Sequence, residues 1–364
     1  MLFVERLMPK TLAPHELDRY LQQGWYRLGS EIFTCRYLVF DGELFSPIWL
    51  RVDLQGYTFP KRLRKIIRRN ERLFTFEYRL FQLTEAHEAL YERYREHFDG
   101  GLSPTLKVYL QDGAESHPYR SLETVVYFQG RMVAYSVFDV GGESLASIIG
   151  VYDPAFAKYS LGLYTMLLEV QYGMRKGYRY FYPGYVVPGY ARFDYKLRLG
   201  DMQFLDPFTE RWQPVAQLHP ERLPSLQLKN QTISLLNAFD LLEVPFHLMF
   251  YYHVELPIGG FPPKRTLNAP LFLQCFPQTW RTPRIIAFAD IWEGCFRLCE
   301  CKPMPLLEDF LFEDLEADPD EPGLITQDIV LRKTLFEHTD PLEIARFTSK
   351  LNYRYFQSGK HGDL

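Results

Sequence analysis

Between residues 124 and 182 apolar, β-branched and aromatic positions alternate with turn residues in an order that predicts a sheet crossed by one helix. Residues 124–128 and 132–139 read as the strands of a hairpin closed by Gln129-Gly130-Arg131. Gly141-Gly142 leads into a third strand, 144–151, which Asp153-Pro154 ends. Leu161, Tyr164, Leu168 and Tyr172 then recur at helical spacing behind the N-cap candidate Ser160, and Gly177 stops that helix. A fourth strand, 178–182, follows at once. Three strands, a helix and a strand describe an α+β fold, a mostly antiparallel sheet with one crossover helix.

This core sits in a central domain, 102–214, between an N-terminal region, 1–101, and a C-terminal region, 215–364. The N-terminal region carries the sharpest amphipathic segment. Behind Pro60, a fitting first helical residue, seven basic side chains (Lys61, Arg62, Arg64, Lys65, Arg68, Arg69, Arg72) gather on one side at about 100° per residue. Leu63, Ile66 and Ile67 lie opposite. Clustered cations repel one another and oppose the helix dipole, a cost that a bound polyanion relieves. A phosphate backbone and an ordinary solvated face are both open. Phe74, Phe76 and Tyr78 downstream offer either stacking surfaces for unpaired bases or a half-buried strand. In the C-terminal region 284–289 reads as a strand and 341–356 as a helix, with eight acidic residues and no basic one in 308–321, a solvated loop.

Composition narrows the class. With 47% apolar and 24% charged residues among 364, the chain can bury a large core and is not disordered. A net charge of −4 excludes an indiscriminate polycation, so any nucleic-acid contact must be a local patch. The start of the chain has no apolar signal core, and no long uncharged apolar run occurs, which predicts a cytoplasmic protein without a membrane partner. Five cysteines do not suggest a disulfide framework. Cys295, Cys299 and Cys301, with Cys275 upstream, fit no trusted zinc spacing, and His247 and His253 read as structural.

Several short motifs resemble the arginyl-tRNA–protein transferases. Tyr152-Asp153-Pro154, Ser160-Leu161-Gly162-Leu163-Tyr164, Tyr182-Pro183-Gly184-Tyr185 and Tyr195-Lys196 occur in that family's order, as do Gly24-Trp25-Tyr26-Arg27 and Arg68-Arg69-Asn70 upstream. The resemblance spans about 17–215. It implies a GNAT-like acyltransferase core and transfer of arginine or leucine from aminoacyl-tRNA to the N-terminal amine of acceptor proteins, a tag of the N-degron kind. Aminoacyl-tRNA is then a co-substrate and no cofactor is needed. The family's N-terminal cysteine cluster is reduced here to Cys35, so no metal is expected there, and Tyr190 stands where a cysteine is common.

Aminolysis of an activated ester needs a neutral amine near the carbonyl, a proton acceptor and donors for the oxyanion. The resemblance puts Asp139, Tyr164, Tyr195 and Lys196 at that chemistry, with Asp139 holding an ammonium or the donor side chain. Lys61, Arg62, Arg64, Lys65, Arg68 and Arg69 would bind the tRNA, and Ser160, Gly162, Gly184 and Tyr185 would line the substrate site. Plainer roles compete: turn capping for Asp139, N-capping for Ser160, core packing for Tyr164 and a surface cation for Lys196. Two rivals remain. An acyl-CoA N-acyltransferase wants a Gly-rich pyrophosphate turn that 157–164 does not supply, and an inactive tRNA- or protein-binding relative keeps the surface without the reaction. The donated amino acid, the acceptor ends, the role of the last third and the oligomeric state are not legible.

Overall fold

A computed structural model describes residues 2–98, 100–251, 267, 269–276, 284–303, 323–325 and 329–357. Its elements begin with β1 (Leu2–Leu7), α1 (Pro14–Gln22), β2 (Tyr26–Leu28), β3 (Glu31–Phe40), β4 (Glu43–Phe45), β5 (Ile48–Asp53), α2 (Lys61–Glu71), β6 (Thr75–Leu80), α3 (Glu85–Glu96) and α4 (Leu106–Gln111). Then follow β7 (Ser121–Phe128), β8 (Arg131–Val140), β9 (Ser144–Tyr152), α5 (Leu161–Lys176), β10 (Tyr180–Val186), β11 (Gln203–Leu205) and β12 (Trp212–Pro214). The last are α6 (Pro224–Leu241), β13 (Phe246–Tyr251), β14 (Leu271–Cys275), β15 (Arg284–Asp290), β16 (Cys295–Pro303), β17 (Gly323–Ile325), β18 (Ile329–His338) and α7 (Pro341–Gln357). The mixture is α+β. His253 and the acidic stretch 308–321 lie outside the described residues.

Contacts divide the chain into two units that differ from the three predicted regions. The larger holds Glu5–Thr34 and Pro47–Leu218. Its eight-stranded sheet has the order β12-β11-β5-β10-β9-β8-β7-β6. β5 and β6, which belong to the expected N-terminal region 1–101, take positions in this sheet beside strands of the expected central domain. The pair β9–β10 is parallel, and α5 crosses between them as the periodicity predicts. The strand after α5 starts later than expected, because Gly177 adopts a left-handed φ of 78° and Tyr178 N–H still bonds back to Gly173 O.

Alternation along β7 and β8 divides the buried side chains between two layers. Val125, Tyr135 and Val137 join Leu90 and Tyr91 of α3 and Leu106 and Leu110 of α4. Val126 and Ala134 join Phe74 and the Leu161, Tyr164 and Leu168 stripe of α5. Phe76 and Tyr78 sit half-buried on edge strand β6, where the Tyr78 hydroxyl donates to Leu168 O at 2.7 Å, so this alternation is the strand rather than a base-stacking platform.

The smaller unit holds Met1–Val4, Cys35–Ser46 and His219–Leu364. A six-stranded sheet of order β17-β13-β14-β15-β16-β18 carries α6 and α7, which confirms a strand at 284 and a helix at 341. Cys275, Cys295, Cys299 and Cys301 are buried thiols of its strands, and burial raises each thiol's pKa.

Candidate functional site

The parallel ladder is the place where the sheet opens. β9 and β10 pair through Tyr180↔Ser144, Phe181↔Leu145 and Tyr182↔Ala146, and there the pairing stops. Pro183, next in β10, has no N–H to donate, and Gly184 takes a positive φ of 90°. β10 then continues against β5 (Gly184↔Leu50 to Val186↔Ile48), after a bulge between Phe181 and Gly184, while β9 stays with β8 up to Tyr152↔Ala134. The two strands therefore splay, and Ser147 is the first β9 residue past the last pair.

Tyr26, from the Gly24-Trp25-Tyr26-Arg27 motif, enters this gap. Its hydroxyl proton is shared between Tyr182 O, at 2.9 Å, and Ser147 O, two carbonyls at the parting strands. Burial raises the Tyr26 pKa far above 10 and keeps the phenol neutral, reinforced by the nearby carboxyls of Glu169 and Asp139. A Cβ on Gly184 would stand 3.2 Å from Lys196 Nζ and 3.7 Å from the Tyr26 ring, so glycine is what lets both approach.

Lys196 lies in the 3-10 segment Ala191–Leu199 and donates from Nζ to Tyr185 O at 2.8 Å. The rings of Tyr185 and Phe193 are 5.3 Å from its nitrogen and that of Tyr195 is 6.0 Å away. Among the described residues it has no carboxylate partner, and burial lowers its pKa to about 7, an ammonium that easily gives up its proton. Tyr195 keeps 42% of its surface exposed, yet burial of the hydroxyl end raises its pKa to about 12.

Further tyrosines close in around the opening. The Tyr109 hydroxyl of α4 points to Ile148 O at 3.5 Å, and Tyr94 of α3 meets Tyr152 of β9 with ring centroids 5.2 Å apart. The electrostatic coupling of Tyr94 to Tyr152, Tyr195 and Tyr109 gathers these four phenols into one collar. Gly162, near the start of α5, is where the Tyr152 ring comes closest, 3.3 Å from where a Cβ would be.

Two expected residues lie elsewhere. Asp139 is fully buried: Arg27 Nη1 donates to its Oδ1 at 2.9 Å and the Ser121 hydroxyl at 2.5 Å. Arg27 is spent in turn on Gly29 O and Leu110 O and stacks 4.5 Å from the Tyr119 ring centre. Asp139 Oδ2 has no hydrogen-bond partner among the described residues, and at 0% exposure the carboxyl is closed to solvent behind the pair with Arg27. Nor does Asp139 cap the Gly141-Gly142 turn, where Gly142 and Glu143 N–H both donate to Asp18 Oδ2 at 2.9 Å. Tyr164 is likewise buried in the α5 layer, the packing role. Ser160 stands at the N-terminus of α5 with φ 56° and no side-chain cap bond, so the cap role does not account for its hydroxyl.

The basic helix is α2, as predicted. Leu63 and Ile67 face inward while Lys61, Arg62, Arg64, Lys65, Arg68 and Arg69 are exposed. Both its ends are bonded to segments that adjoin expected site residues. Arg69 Nη2 and Asn70 Nδ2 donate to Tyr159 O at 2.7 and 3.0 Å, one residue before Ser160. Arg62 Nη2 donates to Arg198 O at 3.2 Å, two residues after Lys196. Between α2 and α5 a hollow is lined by Phe59, Arg64, Ile67, Arg68 and Gln171.

One residue at this centre escaped the sequence reading. Glu169 of α5 is fully buried, and neither carboxyl oxygen has a hydrogen-bond partner of ordinary geometry. Burial raises its pKa from 4.5 to about 8, against the nearby Ser136 and Ser147 hydroxyls, which favour the charged form. The signal was present: an acid inside a helix that is apolar on every side.

Residues 86–206 match the family model described as arginine-tRNA-protein transferase, C terminus, a span that holds both splayed strands, α5, the collar and Lys196. An aspartate/glutamate leucyltransferase of Helicobacter hepaticus is 26% identical over 201 residues, 54% of this chain and 81% of that protein. One from Shewanella sp. (strain MR-7) is 30% identical over 206 residues, 55% of this chain and 83% of that protein. The solved ribosomal-protein-S18-alanine N-acetyltransferase from Escherichia coli is 16% identical, with a TM-score of 0.22 over 29% of this chain and 63% of that one, too slight to bear on the fold. On the strength of these sequence relatives, the chain belongs to the aminoacyl-tRNA–protein transferase family.

Proposed function

We propose that the protein transfers leucine from leucyl-tRNA to the N-terminal α-amine of polypeptides, and that the transfer takes place in the cleft where β9 and β10 part. The observation that carries this reading is the tie between a cationic helix and the expected site residues: α2 is bonded to the chain near Ser160 and near Lys196, at Tyr159 and at Arg198. A tRNA laid on Arg64, Arg68 and their neighbours, held largely by counterion release, has its acceptor end within reach of the α5 N-terminus. There Ser160, Gly162 and the uncapped amides suit a terminal phosphate or ribose.

The cleft then receives the ester. Tyr185 and Gly184 line its floor, and the Tyr195 hydroxyl and Lys196 ammonium are the donors for the developing oxyanion. The collar groups themselves are phenols, and Asp139, the acid expected to read a guanidinium, is bound to Arg27, which favours leucine over arginine. The relatives' names point to acceptors beginning with Asp or Glu. The topology, with one parallel pair opening beside a crossover helix, supports a GNAT-like core, and the missing Gly-rich turn at 157–164 argues against acyl-CoA as donor.

The test is direct: radiolabelled leucyl- and arginyl-tRNA are supplied with peptides beginning with Asp, Glu, Arg or Lys. Label from leucyl-tRNA should appear on the Asp and Glu peptides. Transfer of neither amino acid to any peptide would overturn the proposal.

A further inference from the structure

Every aminolysis of this kind releases a proton, and the residues that bind and polarise the ester do not account for it. The acceptor arrives as an ammonium, whose ordinary pKa is about 7.7–8.0, so at neutral pH a base must first free its lone pair. Tyr26 and Tyr195 are held as neutral phenols, Asp139 is locked to Arg27, and Lys196, bonded to Tyr185 O, must keep its proton to serve the oxyanion.

Glu169 remains. It projects from α5 toward Ser136 of β8 and Ser147 of β9, and its two oxygens have unused hydrogen-bonding capacity. Ser147 is half-buried, so it can meet a ligand on one side and the carboxyl on the other. Its carbonyl already marks the mouth of the splay by accepting from Tyr26. The other titratable groups facing Glu169 are Tyr26 of β2, Tyr78 of β6 and Tyr195, and Asp139 also acts on Tyr26. None of them is a cation that would fix Glu169 permanently as a carboxylate.

We propose that Glu169 is the proton acceptor of the transfer, acting through the Ser147 hydroxyl. The inference rests on the transfer reading above. The acceptor's ammonium passes one proton to Ser147 Oγ while the serine's own hydroxyl proton moves to Glu169. The freed nitrogen attacks the ester carbonyl, a C–N bond forms, and the C–O bond to the terminal ribose breaks. A second N–H proton ends on the departing ribose oxygen, and Glu169 returns its proton to water. The products are one amide, one ribose hydroxyl and one released proton. A carboxyl poised near the pKa of an α-amine makes the first step close to thermoneutral, and the arriving positive charge itself favours ionised Glu169.

Hydroxylamine provides the discriminating experiment, since its nitrogen is already neutral at pH 7 and needs no base. The wild type, Glu169→Gln and Ser147→Ala are compared with leucyl-tRNA and either an Asp-initiated peptide or hydroxylamine. Glu169→Gln should lose about 100-fold in kcat with the peptide. It should keep hydroxamate formation within about threefold, since only the proton acceptor is gone. Ser147→Ala should follow the same split, and the peptide rate of Glu169→Gln should recover toward wild type as pH rises past the pKa of the amine, where the nucleophile no longer needs a base. Equal loss with both nucleophiles would reduce Glu169 to packing and overturn the proposal, as would an unchanged peptide rate. Wild type inert toward both nucleophiles would instead overturn the transfer reading on which it stands.

Discussion

Replacing Glu169 with Gln should stabilise the folded protein, and only at high pH. The unfolded chain ionises this residue near 4.5, whereas in the fold burial delays ionisation to about 8. Below 4.5 both states hold the proton and ionisation adds no difference between them. Between 4.5 and 8 the unfolded state gains an ionisation denied to the fold, so native stability falls as pH rises, and above 8 the penalty is constant. At about 1.4 kcal/mol per pH unit the interval amounts to about 5 kcal/mol, an upper bound because buried sites relax and admit water. Gln has the same shape and cannot ionise. Urea unfolding of both proteins at pH 4 and pH 8.5 should therefore give a difference near zero at pH 4 and several kcal/mol in favour of Gln at pH 8.5. A gain of that size is large against the stability of a whole domain, about 5–15 kcal/mol, and a fold retains such a cost where a site uses the group. An equal difference at both pH values, or a variant less stable at pH 8.5, would refute the account of this carboxyl.

Other residues give independent checks. Replacing Lys61, Arg62, Arg64 and Arg68 together by Ala should weaken tRNA binding and flatten the slope of log K against log salt by up to about 3–4, while melting temperature shifts little, because these side chains are exposed and the Arg62 bond to Arg198 O is a solvent-exposed one. An unaltered slope would remove α2 from the interface. Asp139→Ala leaves Arg27 buried and unpaired and should cost about 3–5 kcal/mol in chemical denaturation, whereas a catalytic acid on a surface would cost little stability. Gly184→Ala demands a left-handed φ of an L-residue and drives a methyl toward Lys196 Nζ, so transfer should fall at least tenfold with substrate affinity nearly unchanged. A fully active Gly184→Ala protein would count against Lys196 as an oxyanion donor.

Much of this was legible in the chain because it is written in short-range pattern. The hairpin about Gln129-Gly130, the stop at Gly177 and the stripe Leu63, Ile66, Ile67 each follow from local rules of turn chemistry and periodicity, and each element is found. What escaped was tertiary. Asp139 sits at a strand end next to a Gly-Gly turn, which suggests a ligand-facing acid. Its fate depends on Arg27, 112 positions away, and no local pattern couples the two. The division into units escaped for the same reason: β5 and β6 read as parts of an N-terminal region until their places in the eight-stranded sheet are known.

The scattered motifs share a cause that only the strand register exposes. A parallel pair inside a sheet normally keeps its ladder, and opening one leaves carbonyls without donors, a cost of about 1–3 kcal/mol for each buried one. Pro183 and Gly184 break the ladder, Tyr26 repairs it by donating to the carbonyls on either side, and the glycine leaves room for Lys196. Tyr26 can reach the gap because its neighbour Arg27 is clamped to Asp139, which makes that ion pair the anchor of the β2 segment. Asp139 thus serves the cleft without entering it, by positioning the phenol that holds two strands apart. The unpartnered acid of this region is Glu169, and a helix that could have carried leucine there bears the cost of a buried carboxyl.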